Sequence, residues 1–464
     1  MKYKSTRGDV NSITFKDAVL MGLADDGGLL IPEELPQISN EELMSLKDKS
    51  YQDVAFYIMN KYIDDIKEDV LKKLIDKSYK NFDTDKVVPL IDLDDFYLLE
   101  LFHGPTLAFK DVALQFLGNL FEYILSERKQ NLNIIGATSG DTGSAAIYGV
   151  RGKKGVKIFI LHPKGRVSKI QELQMTTVLD KNVFNIAVEG TFDDCQFIVK
   201  EIFSDVDFKK KYNLGSINSI NWARVLSQIV YYFYAYLQTK ESDNLDKINF
   251  IVPTGNFGNV LAGFYAKKMG LPVNKLVIAT NENNILHRFV QKGDYSIKGV
   301  VKTYSPSMDI QIASNFERYL YYLYDGDHQK VKGSMAALKN DKFIKFNDLE
   351  IEKVHQDFDS TTTTNEETLN IIKTVYERNN YIVDPHTACG VDGALKLKDK
   401  LDEKFICLAT AHPAKFLDAV KVAIGKEPEI PERIKELFNK DKRVYEMPND
   451  VNAIKSFIEQ NIDE

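Results

Sequence analysis

From about residue 94 onward, short apolar runs alternate with amphipathic stretches of helical spacing, and glycine-rich turns punctuate the alternation. Leu132 to Gly136 runs into ATSGDTGSAA, Val156 to Leu161 precedes SKIQELQMTTV, and Phe184 to Val188 precedes FDDCQFIVKEIF. Ile248 to Val252 enters PTGNFGN and VLAGFYAKKMG, Lys275 to Ala279 follows, and Phe405 to Ala409 enters ATAHPAKFLDAVKVA. Apolar strands of this length between helices predict parallel sheets covered on both faces, a doubly wound α/β architecture. Ligands in such folds bind beyond the carboxyl ends of the strands, where the glycine-rich turns fall.

The pattern divides the chain into residues 1–93, 94–240 and 241–464. The first segment reads as helical and rich in Lys and Asp, with one distinctive loop, GLADDGGLLIP, whose Asp-Asp-Gly-Gly is in the first place a turn. Residues of about 281–350 break the alternation and read as an insertion or added subdomain. Thr364 stands three residues before Glu367 and predicts a capping box for ETLNIIKTVYER. PERIKELF and VNAIKSFIEQ read as closing surface helices.

With 464 residues there is room for two or three domains of about 150 residues each. A net charge of −7 argues against a nucleic-acid or anionic-membrane surface, so an anionic ligand must be met by local donors. Three cysteines, Cys195, Cys389 and Cys407, cannot all pair and lack metal-ligand spacing. The seven histidines are scattered, so no protein-held metal is expected. MKYKSTRGDV lacks the apolar core of a signal peptide, and no apolar run approaches membrane-spanning length. A reduced, cytoplasmic setting without membrane contact is the expectation.

Against this background Lys110 stands out, in HGPTLAFKDVALQFLGNLFEYIL. A proline-marked turn opens a long helix on which Asp111, Gln115, Asn119, Glu122 and Ser126 form one thin polar stripe. A lysine in the first turn of so apolar a helix is either desolvated, which favours the neutral amine that attacks carbonyls, or snorkels to the surface.

Four further stretches bear on that choice. PTGNFGN follows an apolar strand, and its Gly255 and Gly258, with the amides of Asn256, Phe257 and Asn259, make either a phosphate cradle or a plain strand-to-helix turn. It is neither a Walker loop nor GxGxxG. GATSGDTGSAA places Thr138, Ser139, Gly140, Asp141 and Thr142 where a carboxylate can be held at a helix start, or where Ser or Thr merely caps it. NSINWAR opens another helix, with Ser219 as its expected N-cap. Asn218, Asn221 and Arg224 there suit a substrate phosphate, unless Arg224 pairs with an acidic neighbour. Thr410, just past FICLA, offers a neutral hydroxyl to a heterocyclic nitrogen; strand-end capping by Thr410 or His412 is the plainer alternative.

A Schiff-base lysine, a phosphate cradle, a hydroxyl for a ring nitrogen and a carboxylate loop together fit pyridoxal 5'-phosphate (PLP). The second anion site suggests a substrate that is itself phosphorylated.

The motifs YKSTRG, GLADDGGLLIP, HGPTLAFKD, GATSGDTG, NSINWAR, PTGNFGN and ATAHPAKF resemble those of threonine synthase, in its longer microbial and fungal form, nearly from end to end. That family belongs to the fold-type II PLP enzymes, which include tryptophan synthase β. The resemblance implies two doubly wound subdomains with a mainly helical N-terminal domain, PLP on Lys110, its phosphate held by residues 255–259 and its pyridine nitrogen by Thr410. It implies binding of the substrate carboxylate by residues 138–142, and of the substrate phosphate by Asn218, Ser219, Asn221 and Arg224. The implied reaction converts O-phospho-L-homoserine and water to L-threonine and phosphate by γ-elimination and β-addition of water, the last step of threonine biosynthesis. A monomer is the family's frequent form. Asp141 departs from the cysteine synthase pattern, which has Asn there; a carboxylate would repel a bound carboxylate unless protonated or turned away. The alternatives are a phospho-lyase releasing 2-oxobutyrate and a non-enzymatic amino-acid or anion-binding module.

Overall fold

The structure, a computed structural model, describes residues 1–243 and 245–463. They form two compact units: residues 1–76, 82–103 and 219–428, and residues 77–81, 104–218 and 429–464.

The first unit is built on a six-stranded sheet. Its order is Phe358–Thr362, Val273–Thr280, Ile248–Pro253, Phe405–Ala409, Tyr97–Glu100, Leu90–Asp92. All neighbours are parallel except the last pair. The strand Ile248–Pro253 is buried along its whole length, as its apolar run FIVP requires, with Asn249 buried before it. Ile251 pairs with Val277 on one side and Cys407 on the other, and these pack with Val375, Ala388 and Val391 of the covering helices Asn365–Asn379 and Pro385–Leu397. Thr364 and Glu367 form the expected capping box.

In the N-terminal region the strands Tyr3–Ser5 and Leu30–Pro32 pair antiparallel, and the helices Phe15–Met21, Asn40–Ser45, Tyr51–Asn60 and Glu68–Tyr79 make up the rest of its regular structure. The insertion contributes the helices Ile285–Lys292, Phe316–Leu323, His328–Asn340 and Asp348–Asp357, with a small antiparallel pair, Asp294–Ser296 and Phe343–Lys345.

The second unit carries a five-stranded, all-parallel sheet. Its order is Tyr445–Met447, Val183–Val188, Val156–Pro163, Leu132–Ala137, Leu214–Gly215. Ile135, Phe159, Leu161 and Ile186 pack against Cys195, Ile198 and Ile202, and against Ile454 and Ile458 of the C-terminal helix Val451–Asp463. Two helices of this unit, Lys110–Arg128 and Asp141–Val150, cross where neither tolerates a side chain: a Cβ on Gly118 would lie 1.8 Å from the Gly149 carbonyl oxygen.

These units cut the chain differently from the contiguous division 1–93, 94–240 and 241–464. Tyr97–Glu100 pairs with Phe405–Ala409, and the helix Trp222–Ser242 belongs with residues 219–428. Tyr445–Met447 pairs with Val183–Val188, so the closing helices belong to the unit of residues 104–218. Strand pairing between residues hundreds of positions apart leaves no local pattern to read. Among the described residues, no helix is long and apolar enough to cross a membrane.

Candidate active site

In the second unit, Lys110 opens its helix and is buried, 9% exposed, so it does not snorkel. The turn before it is tied back: the Thr106 N–H and hydroxyl donate to the Asp111 carboxylate at 2.8 and 2.7 Å. Asp111 and Asn119 of the polar stripe are therefore buried working groups, not a solvated edge. The Lys110 amine lies 3.5 Å from Asp141 Oδ2 and 5.4 Å from the centre of the Phe109 ring.

The Asp141 carboxylate faces Lys110 through one oxygen and is held through the other. Its Oδ1 accepts a hydrogen bond from Gln171 Nε2 at 2.7 Å, and Gln171 Oε1 accepts one from Ser168 at 2.8 Å. The start of the helix Asp141–Val150 is not capped by Ser139 or Thr142. Gly140 occupies the cap position at φ 147°, and Thr138 Oγ1 accepts from the Gly140 and Gly143 amides at 3.0 and 2.9 Å. Ser139 is exposed and Thr142 half-buried. Gln171 and Gln174, three apart and both buried on the helix Lys169–Thr176, were not anticipated; Gln174 Nε2 donates to the Thr106 carbonyl at 3.0 Å. Their i, i+3 spacing on one face was the available signal.

In the first unit, PTGNFGN leads into the helix Gly258–Lys268. The left-handed residue is Phe257 (φ 63°), not a glycine, and its buried ring packs on Phe316, Tyr319 and Phe358. Gly255 permits the approach of another loop: a Cβ there would lie 2.8 Å from the Ser307 carbonyl oxygen. Asn259 is buried; Oδ1 accepts from the Tyr231 and Tyr232 hydroxyls at 2.6 and 2.9 Å, and Nδ2 has no acceptor. Asn256 is exposed.

The helix after NSIN begins at Trp222, and its N-cap is Asn221, whose Oδ1 accepts from the Ala223 amide at 3.1 Å. Ser219, the expected cap, instead lies three residues upstream and meets the Ser314 hydroxyl at 2.9 Å. Asn218, in the other unit, donates to the Ser216 hydroxyl at 2.8 Å. Asn221 Nδ2 donates to the Val19 carbonyl at 2.8 Å, so both polar atoms of that side chain have partners within the fold. Arg224 is different. It is 3% exposed, no carboxylate among the described residues neutralises it, and Nε and Nη1 lack acceptors. Burial lowers its pKa to about 10. A buried guanidinium with unmet donors next to a helix start has the chemistry to receive an anion.

Thr410 is buried past the end of its strand, and its amide donates to Thr387 Oγ1 at 3.1 Å. Thr387 in turn donates to Asp384, which also accepts from the His386 amide at 2.9 Å and pairs with His386 Nδ1 at 2.8 Å. His386 Nε2 accepts from the Ser307 amide at 3.2 Å, which makes Nδ1 the protonated nitrogen. His412 caps the following turn, accepting from the Ala414 amide. Asp384, His386 and Thr387 were also missed; in sequence they read as an ordinary Asp-Pro helix start.

The geometry defines a class. Parallel α/β units, a buried lysine at a helix start and buried donors seeking anions agree with a family model, "Pyridoxal-phosphate dependent enzyme", that matches residues 85–410. Models of the "Threonine synthase N terminus" and "Threonine synthase, C-terminal" match residues 2–79 and 387–458. The threonine synthase of Schizosaccharomyces pombe is 51% identical over 92% of this chain and 90% of its own, and that of Pseudomonas aeruginosa 44% identical over 99% and 98%. PLP-bound threonine synthase from Brucella melitensis superposes with a TM-score of 0.96 at 42% identity, covering 100% of both chains. The yeast enzyme superposes at 0.95 with 46% identity, covering 99% and 98%. The chain belongs to the threonine synthase family.

Proposed function

We propose that this protein converts O-phospho-L-homoserine and water to L-threonine and phosphate. The observation that carries the reading is Arg224, a buried cation with two kinds of N–H group unmet, which fits a substrate phosphate. The residues also fit PLP. Asn259 Nδ2 is a buried donor in want of an acceptor at the start of a helix, which suits the cofactor phosphate, with the amides of Gly255, Asn256, Phe257 and Gly258 alongside. Lys110 would bind the cofactor aldehyde, and Thr410 its pyridine nitrogen without forcing protonation there. When bound, PLP supplies the electron sink that makes carbanions next to the substrate nitrogen accessible.

The chain's own residues do the rest. Lys110 is the base that would take the proton from Cα and move protons at Cβ. Asp141, held by Gln171, favours the ammonium form of Lys110 after each proton is taken. The Ser139 and Thr142 amides, in the loop that Thr138 shapes through its bonds from the Gly140 and Gly143 amides, receive the substrate carboxylate. Arg224 and the neighbouring Ser219 segment meet the charge that grows on the leaving phosphate. Asn218 and Asn221 act by shaping that segment. The three cysteines are free and buried, which suits a reduced cytoplasm, and we take the protein to work there as a monomer.

Product analysis tests the reading. Phosphate matched by threonine, dependent on PLP, is the expected result. Phosphate matched by 2-oxobutyrate would move the function to a lyase, and neither product would leave a binding protein. In parallel, Lys110→Ala is expected to cut turnover by at least about 10⁴-fold in a folded protein; substantial residual threonine formation would sink the assignment.

A further inference from the structure

YKSTRG, GLLIP and the insertion have so far been given no part in the chemistry, yet they converge on one helix. Phe316–Leu323 begins just after Asn315, and both Asn315 and Arg318 are wholly buried. The Asn315 backbone N–H and Nδ2 donate to the Asn256 carbonyl at 3.0 and 3.2 Å. The same Nδ2 also donates to the Ser219 carbonyl at 3.1 Å. One amide thus touches both the segment assigned to the cofactor phosphate and the segment assigned to the substrate phosphate.

Arg318 holds that amide in place. Its Nη1 donates to Asn315 Oδ1 at 2.6 Å, its Nη2 to the Ile220 carbonyl at 2.6 Å, and its Nε to the Leu30 carbonyl at 3.0 Å. Next to it, the Glu317 carboxylate takes the Thr6 hydroxyl at 2.6 Å and both Arg7 Nε and Nη2 at 3.0 and 2.9 Å. The N-terminal hairpin therefore grips the insertion helix from one side, and the helix grips the two loops from the other. Thr6, Glu317, Asn315 and Arg318 are all buried, where hydrogen bonds are strong and their loss is costly.

We propose that Asn315 is a positioning residue, clamped by Arg318 and locked by the Arg7–Glu317 pair, that fixes the spacing between the cofactor-phosphate and substrate-phosphate segments. The proposal rests on the roles assigned above to residues 255–259 and 219–224. It gives the N-terminal motifs and the insertion a common role. Binding at either loop depends on the same side chain, so damage to it weakens both.

Asn315→Asp tests this. The replacement keeps volume and a partner for Arg318 but removes the side-chain N–H donors to both carbonyls. The apparent PLP dissociation constant of the apoenzyme and the KM for O-phosphohomoserine are expected to rise together, each by about tenfold, with kcat within about threefold. A merely structural defect would lower melting temperature and active fraction without moving KM in the surviving enzyme. Both constants within twofold of wild type in a folded variant, or a change in only one, overturns the proposal. Glu317→Gln, a milder change, is expected to move the same pair by about threefold. It decides the matter if Asn315→Asp does not fold, unchanged constants overturning the proposal. Should wild-type turnover be absent, the function reading fails separately. Inorganic phosphate binding, read by calorimetry, then replaces KM as the second constant.

Discussion

Two buried arginines of the first unit sit in opposite states. Arg318, 0% exposed, spends its guanidinium on two backbone carbonyls and an amide oxygen, and lies over the Trp222 ring. Arg224, 3% exposed, leaves Nε and Nη1 without acceptors. Burial pushes both down to about 10, so desolvation does not tell them apart. The difference lies in what answers the charge. Arg318 is answered by the fold and holds elements together, whereas Arg224 awaits something the fold does not supply. A buried cation marks a ligand site only when its donors remain unmet.

The comparison breaks most visibly on stability. Arg318→Met strands several carbonyl oxygens and is expected to cost roughly 3–5 kcal/mol, seen as a large drop in melting temperature. Arg224→Met is expected to melt no lower than wild type, because it removes an unanswered buried charge at similar volume. If Arg224→Met melts well below wild type, the contrast is wrong.

Activity should separate them the other way round. Arg224→Met is expected to raise KM for O-phosphohomoserine by about 100-fold, about 2.7 kcal/mol of lost charge-assisted hydrogen bonding. Arg224→Lys should recover only part of that, since an ammonium cannot reproduce the guanidinium fork. A wild-type KM in Arg224→Met would remove this residue from the site.

The smallest effect concerns ligand and pH. Inorganic phosphate at about ten times its dissociation constant should stabilise wild type by about 1.4 kcal/mol through Arg224 and Asn259, and Arg224→Met by much less. The pH dependence follows from the lowered pKa. Between about 10 and its ordinary value the unfolded arginine binds more proton than the folded one, so stability rises with pH only there. Below about 10 both states are charged, and the cost of burial is constant. The stability gap between Arg224→Met and wild type should therefore be flat from about pH 6 to about pH 9; a gap that changes across that window would implicate another group.

Much of this was legible in the chain. The strand Phe405–Ala409 was read to the residue, and the other strands expected from the apolar runs start or end within about two residues of their observed limits. Unbroken apolar runs of that length have few other ways to be buried. Lys110 was legible because a lysine in the first turn of an almost wholly apolar helix conflicts with its surroundings. Arg318 was not. In NFERYLYYL it reads as an ordinary helical arginine free to reach solvent, and only the Leu30, Ile220 and Asn315 oxygens, far away in sequence or around a turn, make it a clamp. The Asp384–His386–Thr387 relay was hidden for the same reason: its outer partners are Ser307 and Thr410.

By itself, then, the sequence determined the α/β class and the places of the glycine-rich turns, of the lysine at its helix start and of the arginine, because periodicity, turn geometry and residue chemistry act over a few residues. Tertiary structure alone decided which strands share a sheet, that Asn221 and not Ser219 caps its helix, that Asp141 faces Gln171 and Lys110, and which of two buried arginines remains unanswered. Those outcomes depend on partners brought from distant parts of the chain, and a charge or a donor acquires its function only from what is, or is not, packed against it.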